Sequence, residues 1–407
     1  TCQRPQWDPW LQLTPNQRNY RQNDEVMLSC PQGLHPSVTE VKCASEIKSI
    51  THGKPVYGEV WMRRNGTAGW IRIRSDVECT ELLQVVAGTL EVSATSIKLN
   101  WTCRFPDACQ HTRATCRLAW PSSPPCEAEE VTGEEMLQGQ KGTFACPLLQ
   151  PFTVYTVTIS LPPSTVLYTR LVKTRETVPD KPQNLSLDAS TGLLRWSALP
   201  SCKGEILAYQ LSITARSARD SSFLEIERLQ VNGSVTEYAL PEHRPGRTYV
   251  VTVQGVTAAG AGDASHGEFP GSGLETSAPL DGSSGGTPDI SPSQGTAVLA
   301  LRPLAPPHAA QREHQLVVAA SWDAAALAAV CSAELPPFNG SRQHRAYVAA
   351  VLNLTAPAHF VLGDGTLRHG YYNAPLPPHG NYTVLLRLVR RGQQAEKFTC
   401  VCYSVST

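Results

Sequence analysis

No stretch of the sequence approaches the roughly 20 consecutive apolar residues a membrane-spanning helix needs. Nor does its start, Thr1-Cys2, lead into the charged region and apolar run of a secretory leader. The chain therefore reads as mature: either secreted, or the extracellular portion of a membrane protein whose anchor is absent from it. Charge of one sign is lacking as well. Lys and Arg number 35 against 35 Asp and Glu, and charged residues make up only 17% of the chain. No global field then points to nucleic acid or to an acidic membrane surface. No Ser, His and Asp stand in a recognisable nucleophile setting. "GAGDAS", residues 260 to 265, lacks the third glycine of a dinucleotide loop and reads as a connection between two strands. No catalytic residue, metal site or cofactor is expected.

Cysteine, by contrast, is plentiful. The chain carries 13 cysteines and seven Asn-x-Ser/Thr sequons, at Asn65, Asn100, Asn184, Asn232, Asn339, Asn353 and Asn381. Together they point to an oxidising, secretory compartment and to glycosylation at those asparagines. In that setting "CQHTRATC", residues 109 to 116, reads as a disulfide loop rather than a zinc site built around His111. With 407 residues the chain is too long for one ordinary core and suits several modules of roughly 100 residues each.

Periodicity makes the chain nearly all-β. Ile97, Leu99 and Trp101 alternate with Lys98, Asn100 and Thr102, which leaves the Asn100 sequon on the wet face. About a hundred residues later Leu194 and Trp196 bracket Arg195, followed by Tyr209, Leu211 and Ile213, so the pattern repeats. Each repeat closes on a tyrosine-led strand, from Tyr155 and Tyr249, and Tyr382 leads a third. In two of these a leucine and a proline precede the tyrosine at fixed spacing, Leu149 and Pro151 before Tyr155, Leu376 and Pro378 before Tyr382. The proline fixes the corner of the chain while the ring packs inward and its hydroxyl bonds nearby backbone. Trp101, Tyr155, Trp196, Tyr209, Tyr249 and Tyr382 are accordingly expected in the core.

These features resemble fibronectin type III modules, which are seven-stranded sandwiches. The second copy departs from the pattern, because "EHRPGR" lengthens the turn before Tyr249. The first departs more, since Cys103, Cys109, Cys116, Cys126 and Cys146 sit inside it and read as an insertion stapled by local bridges. The odd cysteine of that set has Cys202 as its nearest unassigned partner. At the N-terminus Cys2, Cys30, Cys43 and Cys79 permit three connectivities. With "YRQNDEVMLSCPQG", Trp61 and Trp70, they resemble a sushi (complement control) module, which implies Cys2–Cys43 and Cys30–Cys79 pairing.

The segments Gly363-Asp364-Gly365 and Gly370-Tyr371-Tyr372-Asn373-Ala374-Pro375-Leu376, running into the Tyr382 strand, resemble the membrane-proximal extracellular module of receptor-type protein tyrosine phosphatases. They are expected to form a β-corner rather than a catalytic loop. The chemistry of that family needs a His-Cys pair opening a phosphate loop, and no His-Cys pair exists here, so any phosphatase domain would lie past the C-terminus. The resemblance also makes Arg342 and Arg345, in "RQHR", a candidate convertase site against the plainer reading of a charged hairpin loop.

The expected organisation is an all-β chain of a sushi-like module (1–80), a cysteine-rich fibronectin type III module (81–178), a second fibronectin type III module (179–275), a flexible Gly/Ser/Pro linker (276–295) and a fibronectin-like module (296–407). Cys331 is expected to pair with Cys400. Cys402, whose Cα lies roughly 6.5–7 Å from that of Cys400 on an extended strand, is then left unpaired, buried or committed to a second molecule. Arg387, Arg390, Arg391 and Lys397 are candidates for a sulfated glycan, with a solvated strand end as the alternative.

The function expected is that of a receptor ectodomain engaging a protein ligand or a cell-surface counter-receptor, with no nucleic acid partner and a membrane contact only through an absent anchor. A soluble secreted binding protein is one alternative. A cytokine-receptor-like pair, prompted by "CRLAW" at 116 to 120, is another, although no Trp-Ser-x-Trp-Ser occurs.

Overall fold

The computed structural model describes residues 1–64, 69–86, 88–217, 222–241, 243–271, 289–291, 295–305, 309–320, 323–341 and 345–406. Among these, regular structure is β throughout except for the helix Ala324–Cys331. The chain divides into two compact units, Thr1–Glu176 and Thr177–Thr407.

The first unit opens with an antiparallel sheet in the order Gln12–Thr14, Glu25–Ser29, Glu40–Thr51, Lys54–Arg64, Trp70–Arg72. Alternation decides which side is dry: Val26 and Leu28 are buried between exposed Glu25, Met27 and Ser29. They meet Leu11, Leu13, Tyr20 and Val41 in a small core. A core this thin needs cross-links, and Cys2–Cys43 and Cys30–Cys79 supply them.

Behind it stand two facing sheets. One gathers Leu83–Val85, Glu91–Val92 and Lys141–Cys146 around Ile97–Cys103, and the other runs Val131–Leu137, Thr112–Leu118, Val154–Leu161, Thr165–Lys173. Trp101 and Tyr155 are buried between them. The cysteines meet the expectation of local staples only in part. Cys109 pairs with Cys103, whereas Cys116 pairs with Cys146, so residues 109 to 116 form no disulfide loop. The physical reason is alternation: Cys116 follows Thr112 and Ala114 on the inward side of its strand, and Cys146 faces it from the opposite sheet. Cys126 and Cys202 are disulfide-bonded as well.

The second unit is built on one sheet of eight antiparallel strands. Its order is Gly260–Phe269, Arg247–Thr257, Ala208–Ser217, Phe223–Asn232, Ala395–Ser406, Asn381–Arg391, Glu313–Ala320, Ala346–Asn353. A small sheet of Ser186–Asp188, Leu193–Arg195 and Glu237–Ala239 lies with the first half, and one of Asp289–Ser291, Thr296–Leu301 and Ala358–Leu362 with the second. Phe223–Leu229 pairs residue for residue with Ala395–Val401. Two strands that would each be a sheet edge thus satisfy one another, which removes the exposed ladder an edge presents. Phe223 joins the core of the C-terminal module, beside Leu316, Leu386 and Val401. Leu224 and Ile226 join a second core on the opposite face. The two modules of this unit therefore share one continuous sheet. Most of residues 276 to 295 lies outside the described residues, and within that span Asp289–Ser291 is a strand. "GAGDAS" also differs from expectation: Gly260 already begins the strand, paired to Thr257.

Tyr155, Trp196, Tyr209 and Tyr249 are buried. The hydroxyls of Tyr155 and Tyr249 accept the backbone N–H of the residue five before, Gln150 at 2.9 Å and Arg244 at 3.3 Å. Tyr382 donates to the carbonyl of Pro377, also five before, at 3.3 Å. The longer turn of the second copy thus keeps the corner. Tyr382 is a correction to the expected core: it is half-buried, its ring lying over Gly380, where a Cβ would collide with it.

His314 is fully buried, accepting the Leu304 N–H at Nε2 (2.9 Å) and facing the Arg312 carbonyl from Nδ1 (2.7 Å). Burial lowers its pKa, partly opposed by the Arg312 carbonyl. The unfolded imidazole titrates near 6.5 while the folded one stays neutral, so the unfolded state gains the proton first as pH falls. Stability from this group is complete above about pH 6.5 and is lost below it until the folded pKa is reached, at up to about 1.4 kcal/mol per pH unit. Urea midpoints at about pH 7.5 and 5.5 should show this loss, and His314→Gln should remove that part of it.

Candidate functional site

The strand Asn381–Arg391 is buried on both faces. Val384, Leu386 and Leu388 fill the sandwich core, while Leu385 and Val389 pack on the other side with Val330 and Cys331 of the helix and with Phe398. Cys331–Cys400 ties helix to sheet there. Cys402 is half-buried beside it, its backbone N–H donating to Ser222 at 2.9 Å.

Arg387 sits on this second face, 4% exposed. Its Nε and Nη2 donate to Gln315 Oε1 at 3.0 and 2.6 Å. Its Nη1 donates to the carbonyls of Val330, Cys331 and Ala333 at 3.4, 3.3 and 2.5 Å. The last carbonyls of a helix lack intrahelical donors and carry the negative end of its dipole, so a buried guanidinium is stabilised there. Desolvation, then the charge of Arg391, pushes its pKa down to about 10, which leaves it charged at neutral pH.

The expected glycan cluster is therefore corrected. Pairing of Arg387 with Cys400 and of Arg390 with Lys397 puts Arg387 and Arg391 on one face and Arg390 and Lys397 on the other. Lys397 moreover forms a sheltered ion pair with Glu225 at 2.8 Å.

The Gly-Asp-Gly stretch is organised around Asn373, which is buried. Asn373 Oδ1 accepts the Gly363 N–H at 2.6 Å, and its Nδ2 donates to the Val361 carbonyl at 2.9 Å and to Asp364 Oδ1 at 3.0 Å. Asp364 Oδ1 also accepts from the N–H and hydroxyl of Thr366 at 3.0 and 2.6 Å. Burial alone would raise the Asp364 carboxyl, but these donors and Arg368 hold it below its usual range. Gly363 and Gly365 adopt φ of 87° and 77°, a backbone that favours glycine. Every polar atom of Asn373 is turned inward, so this is a structural lock on a β-corner.

A groove of about 490 Å³ opens on the outer face of the eight-stranded sheet, where the two modules share strands. The register lines up side chains across strands: Gln254, Gln210 and Gln230 form one row, and Thr252, Ser212, Arg228 and Glu396 the next. The turn Gly392–Gln394 walls one side, held by Gln230 N–H donating to the Gln394 carbonyl at 3.0 Å. Amides and hydroxyls here supply donors and acceptors of both kinds beside two arginines, Arg228 and Arg391, a surface suited to polar contacts with another molecule. Of the groove residues the sequence had singled out Arg391, as a glycan candidate, and Leu211, as part of the strand pattern, but not the groove itself. The signal was available as the polar half of the alternation in residues 208 to 217, 223 to 232 and 247 to 257.

Six sequon asparagines, Asn100, Asn184, Asn232, Asn339, Asn353 and Asn381, are exposed. Asn65 lies outside the described residues, as does Arg342, whereas Arg345 is exposed at a strand's start. Among the described residues no cluster of His, Cys, Asp or Glu could hold a metal, and no helix is long and apolar enough to cross a membrane.

A disulfide-linked, all-β chain built of sandwich modules is thus the class that the geometry defines. Residues 180–268 match the fibronectin type III domain family. Among solved structures, the crystal structure of chicken CNTN1 FN1–FN3 domains is similar at 11% identity, covering 80% of this chain and 97% of that one, with a TM-score of 0.33. A segment of two fibronectin type III domains from chicken tenascin is similar at 18% identity over 46% of this chain and 97% of that one, with a TM-score of 0.25. A search of curated proteins finds no match.

Proposed function

We propose that this chain is the extracellular, ligand-binding portion of a cell-surface receptor of the receptor-type tyrosine phosphatase kind, without catalytic activity of its own. The observation that carries the reading is the continuous sheet of the second unit, which presents the polar groove on a two-module platform. Disulfides throughout and six exposed sequon asparagines fit an extracellular glycoprotein. The Asn373-centred corner supports the membrane-proximal reading, since it accounts for both the Gly-Asp-Gly and the Gly-Tyr-Tyr-Asn segments. The Cys2–Cys43 and Cys30–Cys79 bridges support the sushi-like reading of the N-terminal module. The partner is a protein on a neighbouring cell or in solution, and a phosphatase domain would be encoded downstream of Thr407.

The test is binding of the glycosylated chain to a panel of cell lines, with and without Arg228→Glu and Gln210→Glu. Saturable binding weakened about tenfold or more by the pair, the loss of contacts worth about 1.4 kcal/mol, is expected. Binding that ignores both changes, or turnover of a phosphotyrosine peptide by the chain itself, contradicts the reading.

A further inference from the structure

The strands Glu40–Thr51 and Lys54–Arg64 form a hairpin much longer than its neighbours. Pairing to Glu25–Ser29 covers only Glu40–Lys42, and pairing to Trp70–Arg72 only Met62–Arg64. Residues 46 to 58 pair only with each other, so a two-stranded ribbon extends past the rest of its sheet. Such a ribbon is normally polar, because neither face has a core to cover it. This one is not. Ile47, Ile50, Val56 and Tyr57 are 56%, 74%, 46% and 63% exposed.

Direct pairing of Ile47 with Tyr57 and of Ile50 with Pro55 puts Ile47, Ile50 and Tyr57 on one face, and Val56, paired with Ser49, on the other. There the methylenes of Lys48 lie over Gly58. Between Ile47 and Tyr57 the sequence holds Lys48, His52 and Lys54 and no Asp or Glu. An apolar ribbon with a purely basic margin calls for an apolar surface with an acidic one.

The same unit carries such a surface. Val131–Leu137 is the edge strand of its sheet, with one ladder side unpaired. Val131 and Met136 are 44% and 42% exposed along it. Residues 127 to 136 hold Glu127, Glu129, Glu130, Glu134 and Glu135 and no Lys or Arg, with all five glutamates exposed. Glu134 pairs with Arg113 at 3.0 Å.

We infer that the occupant of the ribbon is a second copy of this chain, whose ribbon face 47–57 docks along the acidic edge strand 131–137 of the first. The apolar side chains of Ile47, Ile50 and Tyr57 give up water at the centre, while Lys48 and Lys54, rooted on the opposite face of the narrow ribbon, reach glutamates around its edges. The contact joins two different patches, so it is heterologous and can recur from copy to copy. The inference rests on the extracellular reading proposed above and adds self-recognition to it.

The test is sedimentation of the full glycosylated chain over a concentration series. Wild type is expected to form species above the monomer that weaken as salt rises. Lys48→Glu with Lys54→Glu, or Glu130→Lys with Glu135→Lys, should each weaken self-association about tenfold or more. Mixing the two variants should restore association, and so should combining all four changes in one chain. Loss of folding in any variant would show in its circular dichroism, and restoration by mixing is independent of that concern. A wild type that stays monomeric, or pairs of variants that never restore association, overturns the inference. Cell binding through the groove would survive either result, so failure here leaves the proposed function standing.

Discussion

Truncating Phe223 to alanine is expected to destabilise the C-terminal unit by about 3–5 kcal/mol, the usual cost of emptying a buried aromatic site. By sequence Phe223 belongs to the fibronectin type III module, yet its ring lies in the core of the next one, with Leu299, Leu386 and Val401. Arg247 stands 4.7 Å over the same ring, so the substitution removes a cation–π contact too. The expected signature is spectroscopic. Trp196 fluorescence reports the fibronectin module and aromatic circular dichroism reports both, and the two should lose their midpoints together because one sheet joins them. Separate transitions, with only the later module weakened, would mean that the shared strands do not couple the cores.

Replacing Arg387 by methionine should cost a similar amount, about 3–5 kcal/mol, because it leaves buried carbonyls without a donor. The side chain it removes serves Gln315, Val330, Cys331 and Ala333 at once. Methionine fills much of the same volume, so the effect reads polar satisfaction rather than a cavity. Lysine should recover only part of the loss, since an ammonium cannot present the planar fork. Chemical unfolding of the three proteins checks the order: arginine, then lysine, then methionine. A methionine variant as stable as wild type would show that the helix end does not depend on this group.

Much of the fold was legible from alternation. Trp101, Trp196, Tyr155, Tyr209 and Tyr249 stand at inward positions of period-two strands, and they are buried. Tyr382 broke the rule because it opens its strand, where Gly380 gives the ring an outer resting place. The same strand shows why Arg387 was misread as a surface cation. Val384 to Val389 contains no polar residue except Arg387, and an almost unbroken apolar run signals burial on both faces rather than one. A helix covers the second face, and an arginine on a doubly buried strand must find its partners inside.

The shared sheet had no local signal. Pairing of residues 223–229 with 395–401 joins segments far apart in sequence, and nothing in either strand alone names the other. The groove inherits that obscurity, since Arg228, Gln230 and Gly392 meet only through this pairing. The disulfide pattern was partly hidden for the same reason: Cys116 and Cys146 are neighbours only once the two sheets face each other.

Native-state hydrogen exchange on the full chain tests the continuous sheet most directly. If Phe223–Leu229 and Ala395–Val401 are paired strands in the middle of one sheet, their amides should be protected to the same degree as those of the central strand Ala208–Ser217. Fast exchange in both segments, with Ala208–Ser217 still protected, would show two separate edges and contradict the single platform on which the proposed function rests.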